Sequence, residues 1–141
     1  MALRLFLATL LCASALAACS TTRAAEPLGG TCEQFQSTRA VEQTGEIAPG
    51  SDFNVILCSN PSTGFAWAEP QIGDTSVARL ADRSYRAPGD ASLAVVGAAG
   101  GEVLTFHAVA AGTTAVSISY SQPWAGGTEA EWTYKLTITV R

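Results

Sequence analysis

The 141-residue sequence has little of the chemistry that enzymes use, because it holds one histidine and charged residues make up only 14% of it. His107 alternates with the apolar residues Phe106 and Ala108, which is typical of a solvent-facing position on a strand. No serine lies in a Gly-x-Ser-x-Gly motif, and no base can be assigned to Cys58 as a nucleophile. The carboxylates are scattered and suggest no acid/base pair. We therefore predict a protein that is not an enzyme, with no catalytic residue and no cofactor.

Basic residues are also scarce, and the sequence lacks the spacing of a metal site. The chain carries 8 lysines and arginines against 12 aspartates and glutamates, for a net charge of −4. Nucleic-acid binding uses a clustered basic surface, and no such cluster is found, so we expect no nucleic-acid partner. Cysteine and histidine do not recur at the intervals that zinc sites use, so we predict no metal site.

The N-terminal residues resemble an export signal. Arg4 precedes an apolar run over residues 5–16, which is too short to span a bilayer as a mature helix. The sequence that closes it, LAAC at Leu16–Cys19, resembles the lipobox of bacterial lipoproteins. The resemblance implies a signal peptide over 1–18, a lipid on Cys19, and attachment to the membrane of the bacterial cell envelope. Ser20 favours the outer membrane, facing the periplasm. An ordinary signal peptide with a chance cysteine is the alternative.

Two further cysteines, Cys32 and Cys58, lie beyond this signal. Export places them in an oxidising compartment, which favours a disulfide between them, and two free thiols are the alternative. The stretch from residue 20 to about 30 is small and polar and contains a glycine pair, which predicts a flexible tether. We place the lipidated cysteine and the tether at 19–35 and one domain at 36–141, which is long enough for a single core.

Alternating apolar and polar residues dominate that domain, and we find no helical period of useful length. The last segment is the clearest, and its apolar face carries Trp132, Tyr134, Leu136, Ile138 and Val140. Residues 53–57, 104–108 and 116–120 alternate in the same way, and turn signals separate the segments. Such strands bury one face and expose the other to solvent, as in antiparallel sheets. We therefore predict an all-β fold, an immunoglobulin-like antiparallel β-sandwich of about seven strands.

Three turn segments are unusual in composition. The Asn-Pro loop is Asn60–Phe65 (NPSTGF), the glycine-rich loop is Gly97–Glu102 (GAAGGE), and the tryptophan loop is Ser121–Trp124 (SQPW). Taken singly, the Asn-Pro loop is typical of a turn, the glycine-rich loop of a flexible connection after the apolar run 93–96, and Trp124 of a residue that covers the core. In a seven-stranded sandwich, however, the loops after the second, fourth and sixth strands lie at one end, where antibodies carry their binding loops. The arrangement therefore predicts a binding surface.

These segments resemble the chagasin-like inhibitors of papain-family cysteine peptidases. That family carries an NPTTG[FY]-x-W loop, a GxGGxxE loop and a YxRPW strand end, in that order. Here the three are NPSTGFAW at Asn60–Trp67, GAAGGE at Gly97–Glu102 and YSQPW at Tyr120–Trp124, and the resemblance covers roughly residues 40–141.

The resemblance has three departures from the family pattern. Gln122 stands where the family usually has arginine, Ala99 where it usually has glycine, and Ser62 replaces a threonine. The first two favour an alternative function, an envelope-anchored immunoglobulin-like module that binds a carbohydrate or a structural protein and whose inhibitor loops have decayed.

The main implication is reversible inhibition of a papain-family cysteine peptidase, which would be the partner of a monomeric inhibitor. The Asn-Pro loop would enter the peptidase cleft with Thr63 near the catalytic cysteine and histidine, while the glycine-rich loop and Trp124 would contact the two walls. No cofactor is implied. The implied peptidase-binding residues are Asn60, Pro61, Ser62, Thr63, Gly64, Phe65, Gly97, Ala98, Ala99, Gly100, Gly101, Gln122, Pro123 and Trp124.

Overall fold

The structure, a computed structural model, describes residues 27–89 and 97–141. The predicted signal peptide, Cys19, the first part of the predicted tether and the apolar run 93–96 lie outside the described residues. Among the residues described, no helix is long and apolar enough to cross a bilayer. The elements are β1 (Gly29–Gly30), α1 (Cys32–Thr38), β2 (Ala40–Ile47), β3 (Asp52–Ser59), a 3-10 turn (Pro61–Thr63), β4 (Ala66–Trp67), β5 (Gln71–Ile72), β6 (Ala78–Arg86), β7 (Gly100–Ala108), β8 (Gly112–Ser121) and β9 (Trp132–Val140).

The strands form two packed sheets, which confirms the predicted β-sandwich. One sheet has the order β1-β3-β7-β6, and the other has the order β2-β9-β8-β4 with β5 also paired to β8. Both sheets are mixed rather than purely antiparallel, because β1 runs parallel to β3 and β2 runs parallel to β9 from the pair Ala40–Thr133 to the pair Ile47–Val140. An alternating pattern reports which face of a strand is buried and carries no information on the direction of its partner. The prediction of antiparallel pairing throughout was therefore wrong for these two pairings, although the predicted β-sandwich is confirmed.

The apolar faces predicted from alternation meet between the sheets. The residues of this core include Phe53, Val55, Leu57, Leu104, Phe106, Ala108, Val116, Ile118, Tyr134, Leu136, Ile138 and Val140. Trp132 heads the last series but is only half-buried, at the edge of the core. His107 lies on the other side of its strand, where its Nδ1 is 2.6 Å from Oδ1 of the exposed Asp52.

The fold begins earlier than the predicted boundary at residue 36. Helix α1 has one buried residue, Phe35, which is 0% exposed and belongs to the core. Its start is fixed by a capping box, in which the Thr31 hydroxyl accepts from Gln34 N and the Gln34 side chain accepts from Thr31 N. A seven-residue helix with one inward residue shows no period, and the cap was its only sequence signal.

The glycine pair of the predicted tether is packed rather than flexible. Gly29 and Gly30 form β1 and pair in parallel with Ile56 and Leu57. A Cβ on Gly30 would collide with the Phe35 ring, and one on Gly29 would collide with the Ile56 carbonyl. Glycine is needed here because the backbone approaches its neighbours closely. A flexible linker is also rich in glycine, so composition alone does not separate the two cases.

Gln43 joins this N-terminal segment to the core. Its Oε1 accepts hydrogen bonds from Gly29 N at 2.8 Å and from the Tyr134 hydroxyl at 2.8 Å. Burial raises the pKa of Tyr134 well above its usual value, so the hydroxyl stays protonated and remains a donor. Residues 29–35 are therefore part of the domain.

The disulfide between Cys32 and Cys58 is confirmed, with 5.0 Å between the two Cα atoms and 26 residues of sequence separation. It ties the first turn of α1 to the end of β3. Cys58 is only 5% exposed, and the Asn-Pro loop begins two residues after it. The covalent link therefore braces the strand from which that loop emerges.

We predict that the double variant Cys32→Ala/Cys58→Ala is less stable than the native chain by about 3–4 kcal/mol, the chain-entropy expectation for a loop of this length. The measurement is the free energy of unfolding from urea melts of the full chain. Dithiothreitol should destabilise the native chain by a similar amount and leave the double variant unchanged. A native chain whose stability does not respond to dithiothreitol would contradict the prediction.

Candidate functional site

The three predicted loops meet at one end of the sandwich. Asn60 Nδ2 donates to the Gly97 carbonyl at 2.7 Å, which joins the Asn-Pro loop to the glycine-rich loop. On its other side the Asn-Pro loop touches the tryptophan loop, because the Trp124 ring reaches within 2.5 Å of where a Cβ on Gly64 would stand. The Asn-Pro loop therefore lies in the middle and contacts both of the others.

The Asn-Pro loop is held by its own hydrogen bonds. The Asn60 carbonyl accepts from Thr63 N at 3.1 Å and from the Thr63 hydroxyl at 2.7 Å, while Asn60 Oδ1 accepts from the Ser62 hydroxyl at 2.6 Å. These bonds close the 3-10 turn. Gly64 ends it with φ of +79°, a left-handed conformation that favours glycine. Pro61 fixes one more dihedral at the start of the turn. The loop is therefore ordered before it meets a partner.

Aromatic rings fix the base of this loop. Trp67 is 2% exposed and its Nε1 donates to the Cys58 carbonyl at 2.9 Å. Phe65 is half-buried and stacks on Tyr120, with ring centroids 5.4 Å apart. The predicted attachment of the loop to the core by these two residues is confirmed.

Tyr120 was not predicted as part of the site, but it supports the loop directly. Its ring is buried at 2% exposure, packed against Trp67 and Trp132, and its hydroxyl accepts from Asn60 N at 2.8 Å. The alternating pattern of β8 marked it as a core residue. Only its place at the head of the YSQPW segment signalled a link to the loops.

The glycine-rich loop divides into two parts. Gly97 is exposed, whereas Ala98 and Ala99 are half-buried, and Ala99 packs against the core. Gly100 and Gly101 already belong to β7, where they pair with Ser59 and Cys58 of β3. A Cβ on Gly100 would lie 2.6 Å from the Tyr85 hydroxyl. This pair of glycines therefore serves strand packing, and both residues remain half-exposed at the loop end.

A half-buried ion pair lies near the base of these loops. Glu102 is 13% exposed and its carboxylate accepts from Arg83 Nε, and Arg83 Nη2 also donates to the Trp67 carbonyl at 2.5 Å. Arg83 comes from β6 of one sheet and Trp67 from β4 of the other. The pair therefore joins the two sheets near the Asn-Pro loop.

The tryptophan loop is braced by Gln122. Gln122 N donates to the Thr128 carbonyl at 2.8 Å, and Gln122 Oε1 accepts from Thr128 N at 3.0 Å. Gly127 N donates to the Trp124 carbonyl at 3.0 Å, which closes the turn. Pro123 and Trp124 are exposed, Trp124 to 52%. The Gln122 amide oxygen thus shapes the loop, and the indole of Trp124 is its most exposed large side chain.

The loop end offers surface rather than reactive groups. Residues 60–65, 97–101 and 121–128 contain no charged side chain, no cysteine and no histidine. Among the residues described, no three histidine, cysteine or carboxylate side chains come together as a metal site requires. What this end can do is to fit a complementary surface with a rigid turn, apolar contacts and backbone hydrogen-bonding groups.

Comparison with known proteins gives a consistent result. The family described as chagasin family peptidase inhibitor I42 matches residues 46–138. Chagasin from Trypanosoma cruzi is 34% identical in an alignment of 84 residues that covers 57% of this chain and 73% of chagasin.

Two solved structures share the fold. The cysteine protease inhibitor EhICP2 from Entamoeba histolytica superposes with a TM-score of 0.60 at 24% identity, over 72% of this chain and 94% of that one. PbICP-C, whose structure is a complex with falcipain-2, superposes with a TM-score of 0.51 at 16% identity, over 72% of this chain and 89% of that one.

We predict that Trp124 and Trp132 differ sharply in their contribution to stability. Trp132→Ala should lose about 3–5 kcal/mol, as truncation of a packed aromatic does, because its ring stacks on Phe35 at 5.3 Å and on Tyr120 at 4.8 Å. Trp124→Ala should lose less than about 1 kcal/mol, since half of its side chain faces solvent. Urea melts of the two variants measure both values. If Trp124→Ala is destabilised as much as Trp132→Ala, Trp124 is a core residue.

Proposed function

Because this chain belongs to the chagasin family of peptidase inhibitors, we propose that it inhibits papain-like cysteine peptidases reversibly by blocking their active-site cleft. Membership of this family makes the chain an inhibitor and not an enzyme. The observation that carries the proposal is the contact of the Asn-Pro loop with both neighbouring loops, through Asn60 to Gly97 and through Gly64 to Trp124. Those contacts make one continuous surface from the three segments that resemble the family motifs.

In the proposal, the Asn-Pro loop enters the peptidase cleft in the conformation that it already has in the free chain. Its turn is closed by the bonds from Thr63 N and the Thr63 hydroxyl to the Asn60 carbonyl, so little conformational entropy is lost on docking. A closed 3-10 turn also presents no extended backbone, so Thr63 can lie near the catalytic residues of a peptidase without a scissile bond in substrate register. The fourteen residues from Asn60 to Trp124 that the resemblance implies as contacts keep that role in the proposal.

The departures from the family pattern fit this role. Ala99 packs against the core, where the extra methyl finds apolar neighbours. Gln122 holds the tryptophan loop through Thr128, so it supports the display of Trp124 from within the loop. Both residues have a structural use in an intact loop end, which favours an inhibitor over a module with decayed loops.

We expect the full chain, purified in mild detergent, to inhibit papain competitively against a small peptide substrate, with one monomer bound per peptidase. A preformed loop end that fills the cleft excludes substrate and is not consumed. The inhibition constant from steady-state kinetics and the stoichiometry from titration of active papain measure the effect. Absence of inhibition at tens of micromolar chain, with the fold verified by circular dichroism, would contradict the proposal.

Trp124→Ala serves as the site-directed variant in the same assay. It should weaken inhibition by about 2–4 kcal/mol, the range of truncated hot-spot aromatics. Val109→Ala is the matched control, because Val109 is exposed at 41% and follows β7 at its far end from the glycine-rich loop. Equal inhibition by the Trp124→Ala variant and the native chain would place the cleft contact elsewhere.

We further propose that the inhibitor is a lipoprotein of the bacterial envelope, anchored to the outer membrane through Cys19 and facing the periplasm. The support is the LAAC sequence that ends the apolar run, followed by Ser20. Each acyl methylene buried in a membrane contributes about 0.8 kcal/mol, so two or three chains anchor a protein stably.

Expression of the full gene product in a Gram-negative host tests this anchor. The mature N-terminal peptide should begin at Cys19 and carry the mass of its acyl chains, and the protein should fractionate with outer membranes. Cys19→Ser should leave the protein unlipidated, while Ser20→Asp should move it to the inner membrane. An unmodified Cys19 in the mature native protein would contradict the proposal.

A further inference from the structure

Tyr85 is an exposed aromatic residue beside the loop end that no motif of the sequence marks. It is the penultimate residue of β6 and pairs with Glu102 of β7. Its ring lies over Gly100, since a Cβ there would be 2.6 Å from the Tyr85 hydroxyl and 2.8 Å from Cζ. Gly100 in turn pairs with Ser59, the residue before the Asn-Pro loop. Neighbouring strands are about 4.8 Å apart, so two strand spacings separate Tyr85 from the base of that loop.

Exposure sets Tyr85 apart from the other tyrosines of the chain. It is 45% exposed, whereas Tyr120 is 2% and Tyr134 is 0% exposed. Among the residues described, the only other exposed aromatic is Trp124 at 52%. Trp124 packs on Gly64 in the Asn-Pro loop, and Tyr85 packs on Gly100 in the glycine-rich loop. The two aromatics therefore flank the Asn-Pro loop on opposite sides.

A stable interface needs more contact residues than the three loops supply. A standard protein–protein interface uses about 20–30 residues on each side, whereas the three loops supply the fourteen residues implied above. Resting on the proposed function, we infer that Tyr85 is a further contact residue for the peptidase, which extends the interface beyond the glycine-rich loop. Tyrosine is enriched at binding hot spots because its ring is large, amphipathic and has few rotatable bonds.

Gly100 gives this contact its rigidity. The Tyr85 hydroxyl occupies space that any other residue at position 100 would fill with its Cβ. A ring held against the sheet loses little rotamer freedom on binding, so more of its contact energy appears as affinity. The second glycine of the GAAGG segment thus places an aromatic from the neighbouring strand at the edge of the site.

The test compares inhibition of papain by full-chain variants purified alike. Tyr85→Ala should raise the inhibition constant about 10- to 100-fold, as loss of a hot-spot aromatic does, and Tyr85→Phe should change it less than about threefold because the ring carries the contact. Val109→Ala should leave it unchanged. A Tyr85→Ala chain that melts like the native chain and inhibits equally well would overturn the inference while leaving the proposed function intact. Failure of the native chain to inhibit would overturn both.

Chemical protection supplies a test that needs no substitution. Enzymatic iodination of the free chain should label Tyr85 and spare Tyr120 and Tyr134, because only Tyr85 is exposed. Papain with its catalytic thiol capped as the methyl disulfide serves as the partner, once competition shows that the capped enzyme binds. Saturation with it should slow labelling of Tyr85, because a contact residue loses its access to solvent in the complex. Labelling of Tyr85 at the free rate in the saturated complex would overturn the inference.

Discussion

The loop end depends above all on the position of one buried phenol. Tyr120 stacks on Phe65 and Trp132 and packs against Trp67, and its hydroxyl accepts the backbone N–H of Asn60. A buried hydroxyl is costly without a partner, and a buried backbone N–H is equally so. One hydrogen bond satisfies both groups. It therefore couples the core packing of β8 to the start of the Asn-Pro loop, so that the loop inherits the rigidity of the sandwich.

Sequence patterns were most informative where each residue has one simple environment. The alternation along β9, from Tyr134 to Val140, correctly predicted a strand with one buried face. The motif NPSTGFAW combined a proline, a left-handed glycine and two inward aromatics, and each of these has a local physical meaning. The position of the three loops at one end could also be predicted, because loops that follow alternate strands of a β-sandwich lie at the same end.

The remaining features depend on partners distant in sequence. The parallel pairing of β2 with β9 leaves no trace in alternation, and Gly29 and Gly30 have the composition of a linker although they pack against Ile56 and Phe35. The position of Tyr85 over Gly100 likewise depends on the register between β6 and β7. A local pattern indicates which side of a strand is buried, whereas strand direction, close packing and register are set by the neighbouring strand.

The segment predicted as a tether proves to be part of the scaffold that holds the site. Phe35 of α1 stacks on Trp132 and packs against Trp67, and Cys32 is bonded to Cys58, whose carbonyl holds the Trp67 indole. Without α1, both indoles would lose a packed aromatic face, and the strand before the Asn-Pro loop would lose its covalent brace. A rigid binding loop needs support from both of its ends, and in this chain residues before the first long strand supply part of that support.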